Sequence, residues 1–226
     1  MHEPILQAMR QSIIDGAPET ALALAQTALT NGLDLLDAIN HGFVTGMHQV
    51  GEQFAQHTMY LPDMMASAEA MRAAMQVLEP ELKKQGAERP VAGTVVLGTT
   101  QGDIHEIGKT LVGTLLTAHG FKVYDLGVDV PSEKFATTAL EVGADIVGVS
   151  ALLTTTMRGQ RNVIAAIERQ GLRPRVKIVV GGAPVTRRWA EEIGADGYGK
   201  DAAAAVTLMK SLMRTRELLP ADARAD

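Results

Sequence analysis

Apolar residues recur at three- and four-residue steps through the first third of the chain, and the period then changes. Ile5, Leu6, Met9 and Ile13 share one face of a helix that Asp15-Gly16 ends, and Ala17-Pro18 opens a second helix with Leu22, Ala25 and Leu29 inward. After Asn31-Gly32, a third helix carries Leu36, Ile39, Phe43, Met47, Val50 and Phe54 in a single stripe. Leu61-Pro62 opens a fourth that turns Met64, Met65, Ala68, Met71, Met75 and Leu78 inward and stops near 81–85. Four helices with short connections predict an antiparallel bundle over residues 1–88. The polar break Gly86-Ala87-Glu88-Arg89-Pro90 marks a domain boundary, and from Val91 strands alternate with helices. Strands are predicted at 92–98, 121–126, 145–150, 176–181 and about 196–199, with helices at 106–118, 132–142, 156–170, 186–193 and 201–215. Residues 91–217 therefore form a second domain, and 218–226 a disordered tail.

The strands of the second domain are apolar without alternation, as in a parallel sheet covered by helices on both faces. Five strands give the expected architecture: a flavodoxin-like (Rossmann-like) α/β domain of order 2-1-3-4-5, following an N-terminal four-helix bundle. The switch point of that order lies between strands 1 and 3, so the ligand is expected at the loops carrying His105 and Ser150.

Composition narrows the functional classes. With 226 residues and 46% hydrophobic content the chain can bury two cores. A net charge of -5 without a basic block argues against nucleic acid or an anionic membrane as partner. Cysteine is absent, which removes disulfides and thiolate metal sites. No run approaches the roughly 18 apolar residues of a membrane span, and Met1-His2-Glu3-Pro4 does not open a secretory signal, so a cytoplasmic protein is expected.

The candidate chemistry lies in Gly102-Asp103-Ile104-His105-Glu106-Ile107-Gly108, between the first strand and the helix that follows it. Neither phosphate-binding glycine pattern occurs between Gly98 and Gly108. Asp103, two residues before His105, can accept the proton of one ring nitrogen and leave the other free, which is how metal-ligating histidines are oriented. Taken alone, Asp-x-His also fits a helix N-cap aspartate followed by an ordinary histidine.

Asp103-x-His105-x-x-Gly108, followed by Ser150-x-Leu152 and then Gly181-Gly182, resembles the cobalamin-binding motif. That motif belongs to the corrinoid proteins of methyltransferase systems, the cobalamin module of methionine synthase and the cobalamin-dependent mutases. The resemblance implies that His105 replaces the cofactor's own base as lower cobalt ligand and that Asp103 fixes its tautomer, with Ser150 able to hydrogen-bond Asp103. It also implies that Gly108, Gly148, Gly181 and Gly182 leave room for the displaced nucleotide tail. Ser150 and Thr154 would cap the next helix and touch the tail, and the turn Tyr198-Gly199-Lys200-Asp201-Ala202 would contact its base, with Asp201 otherwise an N-cap.

In the helical half, Val50-Gly51-Glu52-Gln53-Phe54 and Met59-Tyr60-Leu61-Pro62-Asp63-Met64 resemble the cap that covers the upper cobalt face in methyl-carrying members. The matching apolar positions are Phe54, Leu61 and Met64. His41, His48 and His57 lack the acidic or thiol companions of a second metal site. The resemblance implies a methyl carrier, a corrinoid subunit of a methyltransferase system rather than a stand-alone enzyme, passing through cob(I)alamin, cob(II)alamin and methylcobalamin states. Its partners would be a substrate-specific corrinoid methyltransferase, a second methyltransferase using tetrahydrofolate or a thiol, and a reductive activator. Methanol, methylamines, betaines and methoxylated aromatics all stand as donors. The same cap-and-sheet pair also serves cobalamin-dependent sensors and regulators, whose basic output module has no counterpart in this sequence.

Overall fold

The computed structural model describes residues 3–85 and 91–217, so both the 86–90 break and the 218–226 tail lie outside the described residues. The chain divides into two compact units, one running to Val91 and taking in Thr117–Gly120, the other beginning at Ala92.

The first unit is helical: α1 (Glu3–Ile14), α2 (Pro18–Thr30), α3 (Leu35–Asp37), α4 (Thr45–Ala55) and α5 (Leu61–Lys84). Ala38–Val44 winds as a π-helix between α3 and α4, so the third predicted helix is one continuous rod with a widened middle. Pro18 starts α2, where its missing N–H has no intrahelical partner to lose. The face that α2 buries is Ala21, Ala25 and Ala28, while the expected Leu22 and Leu29 are half-buried. These methyl groups leave little to separate α2 from α5, which lies against it. In α5 the buried stripe is Met64, Ala68, Met71, Met75 and Leu78. Met65, expected inward, is 44% exposed because one residue rotates the side chain about 100° off that stripe.

Two glycines one turn apart bring α1 onto the rod. A Cβ on Gly46 would stand 2.6 Å from the Arg10 carbonyl oxygen, and one on Gly42 would stand 2.9 Å from the Met9 sulfur. The helix backbones touch where a side chain would hold them apart.

The second unit is a five-stranded parallel sheet ordered β2-β1-β3-β4-β5, as the alternation of elements predicts. Its elements are β1 (Thr94–Thr99), α6 (Ile107–Ala118), β2 (Lys122–Asp125), α7 (Ser132–Val142), β3 (Ile146–Ser150), α8 (Arg158–Arg169), β4 (Lys177–Gly181), α9 (Arg187–Ile193), β5 (Gly197–Gly199) and α10 (Ala202–Glu217). Val96, Val147, Val149, Ile178 and Val180 pack on α7, α8 and α9 through Phe135, Val163, Ile167 and Ile193. Alternate residues, among them Leu97, Gly148 and Val179, face the other way, where Met209 of α10 approaches Gly148. Register aligns Thr99 with Ser150, Ser150 with Gly181, and Gly181 with Gly199. Residues scattered over a hundred positions thus form one row at the C-terminal edge of the sheet. No helix among the described residues is long and apolar enough to cross a membrane.

Replacing Gly46 with alanine forces α1 off the rod. We expect Gly46→Ala to lower stability by about 1–3 kcal/mol in urea denaturation, and an unchanged midpoint would show that the helices do not meet so closely.

Candidate functional site

The loop between β1 and α6 is organised by a buried carboxylate. Asp103 is 0% exposed, and both its oxygens are saturated. Oδ1 accepts the His105 backbone N–H at 3.1 Å and lies 2.7 Å from His105 Nδ1. Oδ2 accepts the Leu152 N–H at 2.7 Å, the Leu153 N–H at 3.3 Å and the Thr156 hydroxyl at 2.7 Å. Burial alone would raise the Asp103 pKa, but donation from Thr156, then from the Leu152 N–H and from His105, holds it well below the usual carboxylate range. An ionised Asp103 can only accept, so His105 Nδ1 carries the hydrogen of their bond, and in the neutral ring Nε2 presents its lone pair. The ring is half-exposed, with 46% of the side chain open, and the Thr99 hydroxyl donates to the His105 carbonyl at 2.9 Å.

The structure corrects the expected Ser150–Asp103 bond, since the hydroxyl that reaches Asp103 belongs to Thr156. Ser150 is the last residue of β3, where its carbonyl accepts the Thr100 N–H. The chain then turns through 151–156 and returns Thr156 beneath the carboxylate. That turn sends its N–H groups to Asp103, so α8 starts at Arg158 rather than at 156.

A cavity of about 580 Å³ opens beside His105. Its rim is Ile104, His105, Glu106, Ile107, Gly108 and Leu152; its upper wall is Ser150, Gly181, Gly182, Gly199 and Ala202; Lys200 and Asp201 also line it. Deeper, it is walled by Leu97, Val112, Val179, Ala205 and Met209, most of them buried side chains. Lys109 also lines it, with its ammonium ion-paired to Asp125.

Other expected residues fall outside this lining. Asp103 lies beneath the loop, and Gly102 and Thr154 are exposed without reaching the cavity. Gly197 and Gly199 face α10, so strand alternation turns Tyr198 to the opposite face, where it packs against the α7–α9 core. Asp201 caps α10 by accepting the Ala204 N–H at 2.7 Å. In the helical unit Phe54 and Leu61 are half-buried and Met64 is fully buried.

The glycines divide by cause. Gly108 faces open space, whereas Gly148 is required by Leu97, 2.4 Å from where its Cβ would stand. Gly182 has φ 125°, and a Cβ there would overlap the Ala151 carbonyl oxygen at 1.8 Å. Sequence reasoning also missed Gln160, which is 0% exposed and donates to the Val149 and Gly181 carbonyls at 3.0 Å each while accepting from Trp189 Nε1 at 2.9 Å. It ties the ends of β3 and β4 at the row that walls the cavity. No signal in a lone glutamine on a helix marks such a brace. Among the described residues no group of three or more histidines and carboxylates could hold a metal ion, so any metal at His105 must bring its other ligands with it.

A corrinoid would do so, because its macrocycle supplies four nitrogens of its own and His105 would be the residue available to hold its cobalt. Ile104, Ile107, Leu152 and Leu153 are 75%, 79%, 38% and 43% exposed, an apolar collar on the same loops as His105 and suited to a broad macrocycle. The adjoining cavity has the room and the apolar walls for a nucleotide tail. Residues 93–207 match the B12 binding domain, and residues 5–79 match a second B12 binding domain model.

The chain belongs to the B12-binding corrinoid proteins. It is 46% identical over 210 residues to a corrinoid protein of Desulfitobacterium hafniense, spanning 92% of this chain and 97% of that one. Identity is 45% over 213 residues to trimethylamine corrinoid protein 2 of Methanosarcina acetivorans, spanning 94% and 98%. Among solved structures it is similar to the methanol:cobalamin methyltransferase complex of Methanosarcina barkeri, with TM-score 0.81 and 28% identity over 95% of this chain and 81% of that chain. The monomethylamine corrinoid protein of the same organism gives TM-score 0.52 and 38% identity over 94% and 100%. This corrinoid protein therefore binds a cobalamin-type cofactor.

Thr156 and Ser150 separate experimentally. Thr156→Val deletes a hydrogen bond to a buried charge and should lower the stability of the cofactor-free protein by about 1.5–3 kcal/mol, while Ser150→Ala stays within about 0.5 kcal/mol. Asp103 has a depressed pKa, so its stabilisation is present above about pH 4 and lost as acid protonates it. The Thr156→Val deficit should therefore narrow in acid. Equal losses for the two variants in urea titrations would refute the assignment.

Proposed function

We propose that this corrinoid protein is the methyl-carrying subunit of a methyltransferase system, with His105 as lower cobalt ligand and the displaced nucleotide tail in the 580 Å³ cavity. The observation that carries this reading is His105 itself, its Nδ1 held 2.7 Å from a buried carboxylate and its ring half-exposed at the cavity mouth. When bound, the corrinoid supplies a cobalt that accepts and releases a methyl group. The protein supplies the rest. Asp103 keeps His105 in one tautomer and makes Nε2 a better donor, and Thr156 keeps Asp103 ionised. Ile104, Ile107 and Leu152 bear on the macrocycle, and Ser150 and Gly181 border the tail. Phe54 and Leu61, half-buried in the helical unit, are the apolar positions that the motif resemblance assigns to the carried methyl group, whereas Met64 is fully buried there and serves the bundle core.

The partners in this reading are a substrate-specific methyltransferase that delivers the methyl group, a second that removes it to tetrahydrofolate or a thiol, and a reductive activator. Relatives named for trimethylamine and dimethylamine, 42–45% identical to this chain, favour a methylamine-type donor over methanol, whose complex is 28% identical.

Two experiments test this reading. Grown with [¹⁵N]histidine, loaded with unlabelled cobalamin and reduced to the cobalt(II) state, His105→Ala should lose the two-line ¹⁵N coupling in electron paramagnetic resonance, and Asp103→Asn should weaken corrinoid binding about 10–100-fold; two-line coupling unchanged in His105→Ala would remove the central assignment. For the shield, Phe54→Ala and Leu61→Ala should speed photolysis of bound methylcobalamin. Met64→Ala should instead lose about 2–5 kcal/mol as a core deletion and leave photolysis of the folded variant unchanged. Equal photolysis rates in all folded variants would place the shield elsewhere.

A further inference from the structure

The histidine loop has a second support that the motif does not contain. The chain leaving β2 runs beside the end of β1: Thr99 N–H donates to the Gly127 carbonyl at 3.0 Å, Val130 N–H donates to the Thr99 carbonyl at 3.0 Å, and Thr100 pairs with Val130 as an isolated parallel bridge. Asp125 at the end of β2 accepts the Gly127 N–H at 2.9 Å and holds the ammonium of Lys109, in the first turn of α6. The segment is thus fastened to β1 on one side and to α6 on the other, on either side of the His105 loop.

Asp129 stands in that segment with φ 52°, a left-handed conformation that aspartate, asparagine and glycine adopt more readily than other residues. The conformation has a use. Asp129 Oδ1 accepts the Gly102 N–H at 2.7 Å, and Asp129 N–H donates to the Asp103 carbonyl at 2.9 Å. Gly102 is itself left-handed, with φ 82°. The two hydrogen bonds form a reciprocal clasp on the Gly102–Asp103 peptide segment. Thr156 and the 152–153 N–H groups hold the side chain of Asp103, and Asp129 holds its backbone.

We infer that Asp129 is a positioning residue for cobalt ligation: its clasp on Gly102 and Asp103 sets where the Asp103 carboxylate, and through it the His105 imidazole, stands beneath the corrinoid. It touches neither the ring of His105 nor the cavity. It acts through the backbone of the loop, where a shift of a few tenths of an ångström moves the ligating nitrogen along the bond it must form. This inference rests on His105 being the lower ligand.

The test uses the full chain grown with [¹⁵N]histidine, reconstituted with unlabelled cobalamin and reduced to the cobalt(II) state, so that a two-line splitting reports the protein's imidazole alone. Asp129→Gly keeps the left-handed backbone accessible but deletes the acceptor for the Gly102 N–H. Asp129→Asn keeps both the conformation and an acceptor oxygen and removes only the charge. We expect Asp129→Gly to bind corrinoid at least about tenfold more weakly, the low end of the range for outer supports of metal ligands, and to show a reduced fraction of ¹⁵N-coupled cobalt at neutral pH. Asp129→Asn should restore both. Thermal melting of the cofactor-free proteins, expected to be similar, separates lost positioning from lost folding. Wild-type coupling and affinity in Asp129→Gly would overturn the inference, as would an equal loss in Asp129→Asn. His105→Ala measured alongside keeps the two claims apart: two-line coupling that persists there sinks the ligand assignment, whereas two-line coupling lost there but intact in Asp129→Gly sinks only the clasp.

Discussion

The cobalamin half of this protein depends on a carboxylate that has been taken out of water. An ionised group with no exposure is tolerable only when its lone pairs are filled, and Asp103 fills them from two loops at once: its own, through His105, and the turn after β3, through Leu152, Leu153 and Thr156. The two loops flank the point where strand order reverses between β1 and β3, where an open sheet leaves a crevice. Asp103 is therefore a cross-link over that crevice as well as an acceptor for an imidazole. Removing one donor leaves a buried charge short of a partner, so the tautomer of His105 and the closure of the loops stand or fall together.

The surrounding architecture extends the same constraint. Parallel register lines up Thr99, Ser150, Gly181 and Gly199 along one edge, and Gln160 ties the carbonyls of β3 and β4 beneath it. A fixed floor of this kind lets a half-exposed histidine stand beside an apolar cavity without collapsing into it. Polar groups sit at the cavity mouth and strand ends, and side chains such as Leu97, Val179 and Met209 lie deeper. The result is a site that can hold an amphipathic cofactor whose macrocycle needs an axial ligand and whose tail needs a dry channel.

Much of this was legible in the sequence because the governing patterns are local. Strand and helix periods placed nearly every element of the second unit within two residues, and uninterrupted apolar strands required a doubly covered parallel sheet. The loop chemistry around His105 was readable from Asp-x-His for the same reason, since the two residues meet within one turn. The failures came where geometry is set by tertiary packing. Ser150 ends β3 and Thr156 follows it, both hydroxyl residues, and only the path of the intervening turn decides which reaches Asp103. The motif resemblance puts Tyr198 against the tail's base, while the two-residue strand period sends its side chain to the opposite face. Leu22 and Leu29 looked like the buried face of α2 because they are large, yet helix approach is closest through the alanines. Asp129 and Gln160 carried no local signal, since their partners lie 27 and 11 to 29 positions away.

The claim on which the account turns is that a protein imidazole, not the cofactor's own base, ligates the cobalt. It is tested most directly by growing the protein with [¹⁵N]histidine, loading it with unlabelled cobalamin and recording the electron paramagnetic resonance spectrum of the cobalt(II) state. Ligation by His105 predicts that the nitrogen splitting changes from the three-line pattern of ¹⁴N to the two-line pattern of ¹⁵N. A three-line pattern that persists in fully labelled protein would mean the cofactor keeps its own base, and would contradict the account.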